Sequence, residues 1–262
     1  MRVGVIGFGN MGSAFAQSLS NGVKKERIIV YDKSTDRVKV AKEEGFSVAN
    51  DLYFLVKESD ILLLAVKPKD IPGVLEEIKG EVGERVIVSI AAGIPIKDIE
   101  RIVGGDKKVV RLMPNINVLV GRGAIAVTRN RRVGDDEFRA LLELFSSCGS
   151  LYEIPEELFD GFTALGGSAP AFVFAFIDAL AVAGVREGFG YRDALRIAAD
   201  TVLGSAFLLR EMGGSPSDWM MKVASPGGTT VEGIAYLEER GFKGTVIGCI
   251  ERTLWKAKKL KD

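Results

Sequence analysis

The chain contains no histidine among its 262 residues. Imidazole changes charge nearest to neutral pH and is the commonest metal ligand. Its absence excludes hydride-transfer sites built on a histidine acid and leaves no ordinary zinc-ligand set, so no metal is expected. Proton chemistry falls to hydroxyls, lysine, carboxylates or water. Cysteine is scarce too. Cys148 and Cys249 stand far apart with no C-x-x-C spacing, which fits two reduced thiols in the cytoplasm. Neither sign of charge is in excess, with 35 Lys and Arg against 35 Asp and Glu. That balance removes the electrostatic case for nucleic acid or an anionic membrane as partner. Lys256, Lys258, Lys259 and Lys261 read as a solvated helix end. The most apolar stretch, Ala169 to Val185, is broken by Asp178 and falls short of the about twenty clean residues a span needs, so no membrane crossing is expected. Nothing before the first apolar run reads as a signal or transit segment, and a cytoplasmic location is the expectation.

What the chain does have begins at once. Arg2 to Ile6 has the β-branched composition of a buried strand. It leads into Gly7-Phe8-Gly9-Asn10-Met11-Gly12, and Ser13 to Ser20 follows with the apolar residues of a helix packed on a sheet. Gly7 permits a tight turn, Gly9 lets backbone approach a pyrophosphate, and Gly12 lets the helix sit close to its strand. The helix N-terminus offers unpaired amides and a partial positive charge to phosphates, and Asn10 and Met11 join the three glycines as candidate cofactor contacts. A second strand, Ile28 to Tyr31, ends at Asp32, where a carboxylate meets a ribose. The stretch predicts a nicotinamide-dinucleotide site. Asp32 accepts from a ribose 2′-hydroxyl and favours NAD, whereas Lys33, Ser34, Thr35 and Arg37 would welcome the extra phosphate of NADP. Ser34 or Thr35 equally suits the cap of a helix running to Glu44. These residues leave both cofactors open.

Gly45 ends that helix, Phe46 to Val48 reads as a third strand, and Asn50 or Asp51 as the cap of a short helix to Lys57. Asn50 is also a candidate cofactor contact. Ile61 to Val66 is a continuous apolar run, the mark of a central parallel strand covered on both faces. Its exit, Ala65-Val66-Lys67-Pro68, belongs beside the cofactor, because ligands of open α/β sheets sit beyond the carboxyl ends of the strands. A strand over Arg85 to Ile90 delivers Ala91 and Ala92 to the same edge, small enough for a flat nicotinamide ring. A strand over Val109 to Leu112 leads on to Asn115. Pro95 opens a helix. A strand over Ala124 to Val127, an amphipathic helix from Asp135 to Ser147 and a last strand near Leu151 to Ile154 complete a doubly wound α/β domain over residues 1–155.

From Glu156 the pattern turns helical, giving an all-α domain over residues 156–262. Its helices are expected over Leu158 to Arg186, Tyr191 to Met212, Trp219 to Val223, and from Thr229 onward with a break near Gly241. Pro170 to Val185 is apolar around most of its circumference and needs cover on more than one side, which a second subunit supplies. Two loops are dense in small polar residues, Gly166-Gly167-Ser168-Ala169-Pro170 and Ser225-Pro226-Gly227-Gly228-Thr229-Thr230. The second opens a helix, so its amides and hydroxyls form a nest suited to a carboxylate. A plain capped turn needs one Ser or Thr, not this set.

On GFGNMG at 7–12, LAVKP at 64–68, SIAAG at 89–93, MPN at 113–115, GGSAPAF at 166–172 and SPGGTT at 225–230, the chain resembles the pyrroline-5-carboxylate reductase family. The likeness runs from the first strand to the last helix, and SPGGTT is its most specific run. It implies an N-terminal doubly wound (Rossmann) domain followed by an all-α dimerisation domain, a homodimer with intertwined subunits, and often a ring of dimers. It implies an NAD(P)H-dependent imine reductase that delivers hydride from NADPH or NADH to the C=N carbon of 1-pyrroline-5-carboxylate, giving L-proline. Ser225, Gly227, Gly228, Thr229 and Thr230 match the loop that holds the substrate carboxylate. Thr230 matches the threonine that bonds the ring nitrogen, and it carries the catalytic assignment. Ala91 and Ala92 match the segment beside the nicotinamide, and Asn115 a residue at the domain junction. The chain departs from the family in three places. The usual S-G-S-G-P-A-Y becomes Gly166 to Phe172, Ile116-Asn117 stands where Thr-Pro is common, and Asp32 replaces a frequent uncharged polar residue. A six-membered cyclic imine is the rival substrate. A β-hydroxyacid dehydrogenase would want a lysine on the long helix, and none occurs between Phe159 and Val185. A non-catalytic dinucleotide sensor would be supported by loss of the glycine turn or of SPGGTT, and both are intact.

Overall fold

A computed structural model of the chain describes residues 1–259, so Lys261 of the basic tail lies outside the described residues. Two compact units result: Met1–Ser168 with the last segment from Leu254, and Ala169–Thr253.

The first unit is an eight-stranded sheet in the order β3-β2-β1-β4-β5-β6-β7-β8. In chain order its elements are β1 (Val3–Ile6), α1 (Asn10–Leu19), β2 (Ile28–Tyr31), α2 (Thr35–Glu43), β3 (Ser47–Val48), α3 (Leu52–Glu58), β4 (Ile61–Leu64) and α4 (Ile71–Ile78). Then follow β5 (Val86–Ser89), α5 (Ile96–Val103), β6 (Lys108–Met113), β7 (Gly123–Arg129), α6 (Asp135–Phe145) and β8 (Gly149–Glu153). The six strands from β3 to β6 are parallel, β7 runs antiparallel to β6, and β8 is parallel to β7. Side chains alternate across a strand, so each central strand feeds two cores. Val3, Val5, Ile61, Leu63, Val86 and Val88 enter one core with Phe8 and Phe15 from the turn and α1. Ile6, Leu62, Leu64 and Ile87 enter the other with Leu55, Leu75 and Ile99 from α3, α4 and α5. Burial on both faces explains why these strands read as unbroken apolar runs.

The expected doubly wound architecture is therefore present, with one element that no sequence pattern flagged. The helix α4 begins Ile71-Pro72-Gly73, which reads as a loop, yet proline is tolerated in its first turn and Ile71, Leu75 and Ile78 are all buried. The chain runs outward from β1 through β2 to β3, then crosses back to β4 on the other side of β1. That reversal opens a crevice beyond the carboxyl ends of β1 and β4, which pair in register at Ile6 and Leu64.

In the second unit, α8 (Ala169–Arg186) and α9 (Tyr191–Met212) form a hairpin around Gly188, whose φ is +97°. They cross closely, since a Cβ at Gly184 would lie 3.0 Å from that of Ala194. The helices α10 (Pro216–Val223), α11 (Thr229–Glu239) and α12 (Phe242–Lys259, of which this unit holds the part up to Thr253) follow, and Gly241 at φ +67° makes the expected break. A short helix α7 (Phe159–Phe162) and a π-helical stretch, Thr163–Ser168, precede α8. Within the helical run Glu156–Arg186 a window of 18 residues reaches a mean hydropathy of 1.9, enough to cross a membrane by length and composition only, a test that core helices of soluble proteins also pass.

Candidate active site

The crevice is built by the glycine turn. Gly7 takes φ +99°, and a Cβ there would press on the Ala65 carbonyl at 2.9 Å. At Gly12 a Cβ would sit on top of the Gly7 carbonyl oxygen, so only glycine lets α1 start this close to β1. A Cβ at Gly9 would meet nothing within 4 Å, which leaves bare backbone facing the opening. The first amides of α1 have no partner within the helix and point toward the same space. These features fit a dinucleotide, whose pyrophosphate needs close backbone approach and a positive helix end.

The exit of β2 closes the turn from the side. Asp32 Oδ2 accepts from the Phe8 amide at 2.6 Å, and Oδ1 accepts from the Ser34 amide at 2.8 Å. Lys33 is exposed and reaches Asp70 at 3.6 Å. Ser34 stands at the cap position of α2, but its hydroxyl makes no capping bond. The resulting cleft, about 560 Å³, is lined by Gly7, Gly9, Asp32, Lys33, Ala65, Val66 and Lys67 among the expected residues. Asn10 is exposed at the start of α1, with Met11 half-buried and Gly12 buried behind it. Asp51, not Asn50, caps α3 by accepting from the Phe54 amide at 2.7 Å, and Asn50 stands exposed just before it.

A second cleft, about 900 Å³, lies at the next strand exits and takes in Pro68, Ala92, Gly93, Arg111, Glu156 and Thr163. Ala91 is buried beneath it, with its amide 3.3 Å from the Ser89 hydroxyl. Glu156 Oε1 accepts both from the Ile96 amide and from the Arg111 guanidinium, each at 2.8 Å. Arg111 is buried, lies 4.6 Å from the Phe159 ring centroid, and has no partner for Nε among the described residues. Sequence reasoning missed this pair, since nothing local links positions so far apart. Asn115 is buried, and both ends of its carboxamide bond to protein. Nδ2 donates to the Gly166 carbonyl at 2.9 Å, while Oδ1 accepts from Asn117 and Ala124. It ties the β6 exit to Gly166-Gly167-Ser168, which is π-helical and runs straight into α8, so the small residues at 166–170 do not form the expected loop. A larger cleft of about 960 Å³ at the opposite end of the strands is lined by charged surface residues such as Arg2, Glu58 and Asp60, without any glycine cradle.

The Ser225 to Thr230 corner belongs to the helical unit. The Gly228 amide donates to the Ser225 carbonyl at 3.0 Å, and Gly227 takes φ +69° after Pro226, as a tight turn with Pro then Gly requires. A Cβ at Gly228 would collide with the Ser225 hydroxyl. Gly228 then caps α11 without a side-chain bond, so the amides of Thr229 and Thr230 start the helix uncapped by side chain. Ser225, Thr229 and Thr230 thus gather hydroxyls around a positive helix end. The groups with shifted acidity lie outside both clefts. Lys107 beside Asp106 lowers that carboxyl, burial pushes the Cys148 thiol up to about 12, and a hydrogen bond to Asp178 raises Tyr191.

Comparisons with known proteins agree with this layout. Residues 156–260 match the family model described as pyrroline-5-carboxylate reductase dimerisation, and residues 2–93 match one described as NADP oxidoreductase, coenzyme F420-dependent. The chain is 56% identical to pyrroline-5-carboxylate reductase of Aquifex aeolicus, over 99% of this chain and 97% of that one. It is 36% identical to the Escherichia coli reductase over 99% and 98% of the two chains. Among solved structures it resembles pyrroline carboxylate reductase of Plasmodium falciparum with NADP bound, at TM-score 0.89, 31% identity and coverage of 100% and 98%. With a Rossmann unit, a helical dimerisation unit and identity of this extent along the whole chain, the protein belongs to the pyrroline-5-carboxylate reductase family.

Proposed function

We propose that the chain reduces the C=N bond of 1-pyrroline-5-carboxylate to L-proline with NADPH or NADH, the last step of proline biosynthesis, in the cytoplasm. The observation that carries this reading is the 56% identity to a named reductase over nearly all of both chains. The two halves of the chemistry have separate homes in the sequence, residues 1–155 for the nucleotide and 156–262 for the imine and the partner subunit. When bound, the nicotinamide supplies a hydride. The protein's own tasks are to orient, to hold and to exclude water. The amides at Gly228, Thr229 and Thr230, with the Ser225 hydroxyl, hold the substrate carboxylate against the positive end of α11. The Thr230 hydroxyl donates to the ring nitrogen or to a water there. An alcohol is too weak an acid to be an independent proton source, so its part is positioning. The imine nitrogen is basic enough to arrive protonated or strongly hydrogen-bonded, which suits a chain without histidine.

The active species is a homodimer, with rings of dimers as a further step of assembly. Support comes from α8, where Val173, Phe174, Phe176 and Leu180 are exposed in the isolated chain. Oxidation of NADH or NADPH with pyrroline-5-carboxylate, alongside the six-membered piperideine carboxylate, tests the reading. Turnover of the five-membered imine is expected; no turnover with either nucleotide would remove it, and faster turnover of the six-membered ring would reassign the substrate.

A further inference from the structure

Asp32 leaves β2 with its carboxylate held through both oxygens, by Phe8 at 2.6 Å and by Ser34 at 2.8 Å. A carboxylate tethered by one bond swings aside when another anion approaches. One held by two peptide groups does not, because turning it would undo the bond that closes the glycine turn. The acid is thus part of the cradle, and the cradle and the acid move together or not at all. Each of its oxygens keeps a further lone pair for a donor on the ligand.

The surrounding wall is balanced in charge and lacks a guanidinium fork. Asp70 and Glu77 line the cleft with Asp32, against Lys33, Lys67 and Lys69, and no arginine is among the described residues lining it. Lys33, the cation next to Asp32, is exposed and lies 3.6 Å from Asp70. The Ser34 amide, which a phosphate at the start of α2 would use, is already taken. A ribose 2′-phosphate carries a charge of about −1.5 to −2 and only acceptor oxygens, and an arginine fork is what best receives it. A ribose diol brings hydroxyl donors instead, and a fixed carboxylate is their complement.

We infer that this chain takes NADH in preference to NADPH, and that Asp32 is the residue that sets the choice. The inference rests on the nucleotide half of the reductase reading and departs from the NADP named for the family model over residues 2–93. The test is direct binding of NADH and of NADPH to the full chain, without imine, by calorimetry or nucleotide fluorescence. NADH is expected to bind at least about tenfold more tightly, the scale of one like-charge contact near a surface. Asp32→Ser is expected to shrink that ratio to about threefold or less, chiefly by tightening NADPH, with the thermal midpoint as the folding control. The wild-type ratio stands as a test even if the variant does not fold. Equal or tighter binding of NADPH by the wild type overturns the inference, as does a preference that survives Asp32→Ser in folded protein. A chain that prefers NADH but reduces no pyrroline-5-carboxylate would overturn the substrate reading and leave this one standing.

Discussion

Met1–Ser168 and Ala169–Thr253 treat their apolar side chains in opposite ways. The sheet unit buries Phe8, Phe15, Phe145 and Phe159 almost completely. The helical unit buries only Ala181, Ala194, Ala198 and Ala224, while Phe174, Leu203 and Phe207 are all more than half exposed. One unit is folded around itself. The other is half of a larger core, because exposing that much apolar surface in water is unfavourable by about 25 cal/mol per Å². The match of residues 156–260 to a dimerisation family model agrees with that need for a partner. Self-sufficiency goes with the unit that carries the glycine cradle, and dependence goes with the unit whose proposed substrate corner lies at the start of α11.

Placing a charge on the unfinished surface is the hardest blow to that contrast. Phe174→Asp is expected to weaken self-association on the order of a thousandfold or more, since a symmetric contact counts the substitution twice. Sedimentation across a dilution series reads it, and an undisturbed dimer would mean that α8 faces no partner. Thr230→Ala is expected to lower kcat/KM by about ten- to a thousandfold while nucleotide affinity stays put. Unchanged steady-state kinetics would take Thr230 out of the mechanism. Gly12→Ala carries the complementary damage. The added methyl strikes the Gly7 carbonyl, costs about 1–3 kcal/mol, and lowers both the thermal midpoint and nucleotide affinity without touching assembly. A variant that binds nucleotide normally would show that the turn gives way more easily than its packing indicates. The smallest effect concerns Cys148. With its thiol pushed up to about 12 by burial, the thiolate is scarce at pH 8, so native protein should resist iodoacetamide there and react only after unfolding. Prompt labelling, mapped by mass spectrometry, would show that the sheet unit opens locally.

The parts of this molecule that repeat locally were the legible ones. The β1 run, the glycine turn and the start of α1 are contiguous, and each is dictated by its own residues. The buried run at β4 and the long helices α8 and α9 announce themselves by composition and period. The helix α4 escaped because Pro72 and Gly73 carry loop chemistry, while its burial of Leu75 and Ile78 is decided by the sheet beneath. Within the candidate site, residue types were readable and partners were not. Asn115 was readable as a residue at the junction, whereas its three bonds to Gly166, Asn117 and Ala124 needed the fold to bring them together. The Arg111–Glu156 pair joins positions 45 apart in the chain, a distance over which no periodicity operates. Asp32 was readable as an acid at a strand exit, whereas its double tether required the turn to be folded in place.

Glu156 gives the loop after β5 a property of its own. The segment from Ala91 to Pro95 is pinned at one end by the Ser89 hydroxyl and at the other by the Glu156 carboxylate on the Ile96 amide. A span clamped at both abutments keeps its curve whether or not anything rests against it. A ring laid on Ala92 and Gly93 would find a surface already shaped, and the stiffness of that surface is stored in a carboxylate 60 residues further along the chain.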